Sequence, residues 1–228
     1  MRDKTLQIDT QGFTLIEILV AMVIFSVTLL TLFSAFTAFL SSGTLVKNEV
    51  IRNECFRLGM KTIFSDLEQL FILQYPRYSK PEFNDEPDAY RFEGTRSDGR
   101  GEQFSHLSFA SLNHAKTKAA PGNGAARIAY YVHSRGDRFD LLRSDTLAPY
   151  PKEGDPCSDP VLFKDITGFK LTYTDVNGDD HDTWDSDSKD FDFILPAMVH
   201  IQLDLKQNGI TRSLVTAISL PANREAIK

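Results

Sequence analysis

From Ile18 to Val46 the chain carries no charged side chain, a run of 29 residues. About 20 helical residues suffice to cross a hydrocarbon core. No proline or glycine falls between Phe13 and Ser42, so nothing interrupts a helix there. The run predicts one membrane-spanning helix. A secretory signal peptide has an apolar core of only about 7–15 residues, and this run is too long for one. An uncleaved signal anchor satisfies the hydropathy equally well. Glu17 bears on that choice, because a carboxylate one turn inside a membrane helix costs roughly 2.5 kcal/mol or more unless it snorkels or pairs. A plain anchor has no use for it.

The remainder reads as a soluble domain. A chain of 228 residues can bury one sizeable core with an appended helix. The net charge of −6 comes almost wholly from the stretch Asp175 to Asp192, which holds eight aspartates against Lys189. No basic face with interleaved aromatics occurs, which argues against nucleic acid as a partner. Cys55 and Cys157 are too few for a disulfide framework and fit no zinc or redox spacing. One disulfide between them stays open as an alternative to two isolated thiols.

Beyond the apolar run, Phe56, Met60, Ile63, Leu67 and Leu70 are spaced 4, 3, 4 and 3 apart, so one stripe of a continuing helix should pack on a domain. Lys47, Glu49, Arg52, Glu54, Arg57, Lys61, Asp66 and Glu68 fill other positions and read as its solvated face. Helical signal fades at Gln74-Tyr75-Pro76. This predicts a helix over 13–74, its membrane part about 13–40, and a head over 75–228. In the head the period switches to two. Strands are predicted at Phe104 to Phe109, around Ile128 to Val132, around Phe139 to Arg143, and over Ile166 to Thr174. Val199 to Lys206 and Ile210 to Leu220 form a hairpin through Asn208-Gly209. Gly94 to Gly124 otherwise reads as exposed loop. The expected fold is α+β, a long N-terminal helix packed on a β-rich head.

Chemistry in the head has one candidate site. Asp175, Asn177, Asp179 and Asp180 supply hard oxygen ligands of the kind calcium takes. The pattern is not an EF-hand, and the competing reading is a solvated acidic loop. A bound calcium ion would order eight mutually repelling carboxylates, a structural role. No other cofactor is expected. The five histidines form no ligand pair, and neither G-x-S-x-G nor a phosphate loop occurs. No catalytic residue is assigned. Trp184 is expected in the core, and one of Tyr130 and Tyr131 should point inward.

The segment Gly12-Phe13-Thr14-Leu15-Ile16-Glu17, following a short polar leader and heading the apolar run, resembles the processing site of type IV prepilins and type II secretion pseudopilins. One position departs, since Gln11 stands where the family usually has a basic residue. The resemblance implies a leader over 1–12 and cleavage by a prepilin peptidase between Gly12 and Phe13. It also implies N-methylation of Phe13, and pairing of Glu17 with the amine of a neighbouring subunit. Arg127 to Val132, Leu142-Arg143, the Phe169 to Tyr173 strand, Trp184 and Leu195-Pro196 resemble the J family of type II secretion minor pseudopilins. That implies an inner-membrane protein with a periplasmic head. Its partners would be other minor pseudopilins in a tip complex and the major pseudopilin, in support of protein export. A minor pilin of a type IV pilus or DNA-uptake system shares every N-terminal feature. A signal-anchored calcium-binding domain is the alternative of a different class.

Overall fold

A computed structural model describes residues 12, 14–74, 76–82, 85–99, 102–114, 124–147, 155–207, 210–221 and 224. The chain divides into two compact units, Met1–Glu54 and Cys55–Lys228. One helix, α1 (Leu15–Glu68), runs from the first into the second.

In the first unit Leu15–Phe39 is long and apolar enough to cross a membrane, and none of it is buried in the protein. Its hydroxyls do not disturb that. Ser26 Oγ donates to the Met22 carbonyl at 2.8 Å, Thr28 Oγ1 to Ile24 at 2.8 Å, and Thr37 Oγ1 to Phe33 at 3.1 Å. Each of these donors is thereby satisfied inside its own helix, as a lipid-facing segment requires.

The second unit is α+β. Its strands are β1 (Leu70–Phe71), β2 (Glu93–Gly99), β3 (Glu102–Ser111), β4 (Ala126–Arg135), β5 (Arg138–Leu147), β6 (Val161–Thr174), β7 (Asp180–His181), β8 (Trp184–Asp185), β9 (Met198–Gln207) and β10 (Ile210–Ser219), with a 3-10 turn at Lys189–Phe191. They form one sheet in the order β10-β9-β6-β5-β4-β3-β2-β8, with β1 on β3 and β7 on β6. Alternation decides which side chains are buried. Ile128 and Tyr130 on β4, Phe169, Leu171 and Tyr173 on β6, and Val199, Ile201 and Leu203 on β9 all point into the core, as period two dictates. The helical stripe joins them, with Met60, Ile63 and Leu67 buried. Gly59 makes this packing possible, because a Cβ there would stand 2.6 Å from Phe163 Cζ. Without a side chain the helix comes close to the sheet.

Several expectations change. The helix stops at Glu68, short of Gln74, because the backbone of Leu70 and Phe71 pairs with Ser111 and Ala110. Leu70 continues the apolar stripe and is still buried, but as a strand residue. The stretch read as loop from Gly94 holds β2, paired with β3 over seven positions. Its sequence EGTRSDG has no apolar alternation; the backbone ladder holds it, and Gly94 leaves space for the Tyr173 hydroxyl. Trp184 is buried and donates from Nε1 to the Ile194 carbonyl at 3.0 Å. Tyr130 is the inward tyrosine; Tyr131 is half-buried and donates to Asp159. Cys55 and Cys157 are both free and exposed. The hairpin forms with Gln207 opposite Ile210, while its turn residues Asn208 and Gly209 lie outside the described residues.

Candidate functional site

The start of α1 is built by four residues. Thr14 precedes the first helical residue, and its backbone N–H and Oγ1 donate to Glu17 Oε2 at 2.9 and 3.0 Å. Glu17 N lies 3.4 Å from Thr14 Oγ1 in return. This reciprocal arrangement is a capping box, which satisfies two orphan N–H donors at a helix start. It also holds the one carboxylate of the apolar segment at the end of the helix, three residues after Thr14 and five after Gly12. Gly12 and Glu17 are exposed. Phe13 and residues 1–11 lie outside the described residues.

At the other end of α1, Asp66 is fully buried, against the expectation of a solvated face. Arg143 of β5 grips it bidentately, Nε to Oδ2 at 2.7 Å and Nη2 to Oδ1 at 3.0 Å. Tyr130 donates its hydroxyl to Oδ2, and Asn113 Nδ2 donates to Oδ1 at 2.6 Å. Arg143 also reaches Asp145 at 2.7 Å, whose other oxygen meets His114 Nδ1 at 2.6 Å. Burial alone would lower the Arg143 pKa. The two carboxylates outweigh it and hold the guanidinium above its ordinary value. Burial, reinforced by Asp66, pushes the Tyr130 hydroxyl well up. The helix end is thus tied to β4, β5 and the segment that follows β3 by a paired charge cluster.

A second cluster was not legible at all. Arg224, which follows β10, is buried and its planar guanidinium lies 3.4 Å over the Tyr78 ring. It donates to Leu73 O at 3.1 Å and Ser186 O at 2.9 Å, and pairs with Asp88 at 3.0 Å and Asp187 at 3.4 Å. Desolvation, with repulsion from Asp187, raises the Asp88 pKa despite the nearby Arg224. One arginine therefore joins the segment that holds Leu73, Tyr78 and Asp88 to the aspartate-rich one.

The four candidate calcium ligands share a turn. Asp175 Oδ1 accepts the N–H groups of Asn177 and Asp179 at 2.8 and 2.9 Å, and Gly178 adopts φ +92°. The Asp179 N–H is the main cause that keeps the Asp175 carboxyl below its ordinary pKa. Asp180 accepts from Thr174 Oγ1 at 2.7 Å. Among the described residues no group of three or more His, Cys, Asp or Glu side chains is placed to hold a metal ion. Other aspartates of the stretch are engaged too, Asp182 with Arg96 at 2.9 Å and Asp187 with Tyr78 at 3.1 Å.

Comparison with known families identifies two matches. The prokaryotic N-terminal methylation motif covers residues 9–33, which include Gly12, Phe13 and Glu17. The type II secretion system protein J family covers residues 34–217. The chain belongs to the type II secretion protein J family. That family is one of structural pseudopilins. A search of the curated proteins returns no match. With the apolar helix Leu15–Phe39, the N-terminal motif makes this J-family chain a single-pass, membrane-anchored protein.

Proposed function

We propose that the chain is a minor pseudopilin that works as a structural subunit of the type II secretion pseudopilus, in its tip complex. A prepilin peptidase cuts between Gly12 and Phe13 and methylates Phe13. The helix sits in the inner membrane, the head in the periplasm, and the subunit joins other minor pseudopilins and the major pseudopilin to support export across the outer membrane. The observation that carries this reading is the placement of Glu17. It caps a lipid-facing helix inside a matched methylation motif, in a chain whose head matches protein J. Two opposite charges that meet in lipid neutralise one another, which accounts for a carboxylate retained there.

Mass spectrometry of the protein from its own membranes tests the reading. The mature chain should begin at methylated Phe13 in cells with the peptidase and at Met1 in cells without it. An intact Met1 in peptidase-positive cells, or cleavage after residue 40, would refute it. Deletion of the gene should block secretion and spare twitching motility; the reverse would assign the chain to a type IV pilus.

A further inference from the structure

Strand β10 ends the sheet, and among the described residues no strand lies beside its outer edge. Its ten residues pair with β9 in one unbroken register, without bulge or proline and with Arg212 as the one charged residue. Sheet edges of that length are ordinarily blunted by bulges, proline, charge or shortness. The opposite edge is blunted by shortness and charge, since the two-residue β8 covers Glu93 and Gly94 and the rest of β2 carries Arg96 and Asp98. Every second residue of β10 turns its N–H and C=O away from β9, a row that another extended chain can match.

A groove adjoins the same edge. Phe56, Met60 and Phe64 of α1 and Leu214 and Thr216 of β10 line a space of about 600 Å3. Its rim carries Arg57 and Lys61 against Glu68, a cationic margin on an acidic protein.

We propose that β10 and this groove receive an extended strand from the head of another pseudopilin subunit, apolar at alternate positions and carrying carboxylates toward Arg57 and Lys61. The proposal rests on membership of the pseudopilus. Backbone bonding to an open edge is an established mode of peptide capture. Side chains two apart on the added strand point to the same side, which here is the groove. A second copy of this chain fits poorly, because edge-to-edge pairing brings two identical cationic rims together, and β8 is too short to occupy β10.

The test uses the full-length chain in its own membrane, with a photoreactive phenylalanine analogue at Val215 on β10 or at Phe25 on the membrane helix. Val215 is expected to give an adduct with another pseudopilin, and Lys61→Glu to lower its yield about fivefold or more while the buried Trp184 emission stays unchanged. An adduct from Phe25 with none from Val215 would leave filament membership standing and overturn the strand proposal. An adduct between two copies of this chain at Val215 would overturn the chosen occupant, as would a yield unmoved by Lys61→Glu. No adduct at either position would overturn both readings.

Discussion

Replacing Arg143 by Met removes the cation from the cluster at the end of α1. Asp66 is left fully buried with two neutral donors, Tyr130 and Asn113, while Asp145 keeps His114. Breaking a buried pair on one side costs about 3–5 kcal/mol, at least about a fifth of the stability of a typical domain. For a unit of this size the melting temperature should fall by roughly 6–20 °C. The double variant Asp66→Asn/Arg143→Met removes the stranded charge and keeps an acceptor for Tyr130, so it should regain about half of the loss. The cycle with both single variants should then give a coupling of about 2 kcal/mol or more. Unfolding of the full-length protein in detergent micelles can be followed by Trp184, the chain's one tryptophan, which is buried in the head. A loss below about 1 kcal/mol for Arg143→Met, the value of an exposed ion pair, would refute the argument.

Gly59→Leu should destabilise the head by about 1–3 kcal/mol through overpacking on Phe163, and Phe163→Ala in the same chain should relieve part of that penalty, measured by the same melting experiment. Arg224→Ala leaves Asp88 and Asp187 facing each other without their cation, and should cost about 3 kcal/mol and speed proteolysis within 73–92 and 186–193; unchanged cleavage there would contradict the clasp. Half-buried His106 has its pKa lowered chiefly by burial. Below the ordinary histidine value of about 6.5 the unfolded chain takes up a proton that the folded head resists. Stability is therefore lost as pH falls through that range, and His106→Gln should flatten this part of the melting-temperature profile.

The parts of this fold that were legible in the sequence are those where burial imposes a period. The β9–β10 hairpin and the inward faces of β4 and β6 alternate cleanly, and the helical stripe at 56, 60, 63 and 67 marks the packed side of α1. Strand β2 stayed hidden because its sequence has no apolar alternation, and it is held by its backbone ladder and by ion pairs such as Arg96 with Asp182. Asp66 was misread for a different reason. It falls on the stripe side, between Ile63 and Leu70, yet a charge there looks solvated until its partners, 47 to 77 residues away in sequence, are seen. Spacing on the helix could have flagged it. Arg224 follows a strand with no pattern around it, and no sequence signal could have placed it beneath Tyr78. Glu17 stood out because a lone carboxylate in an apolar run demands a reason.

The position of Arg224 also separates the clasp from the sheet. The cation that joins Leu73, Asp88 and Asp187 lies after β10 and belongs to no strand. A chain cut after Ser219 would therefore keep every strand and lose the link between the two loops, so the sheet and the clasp can be removed separately.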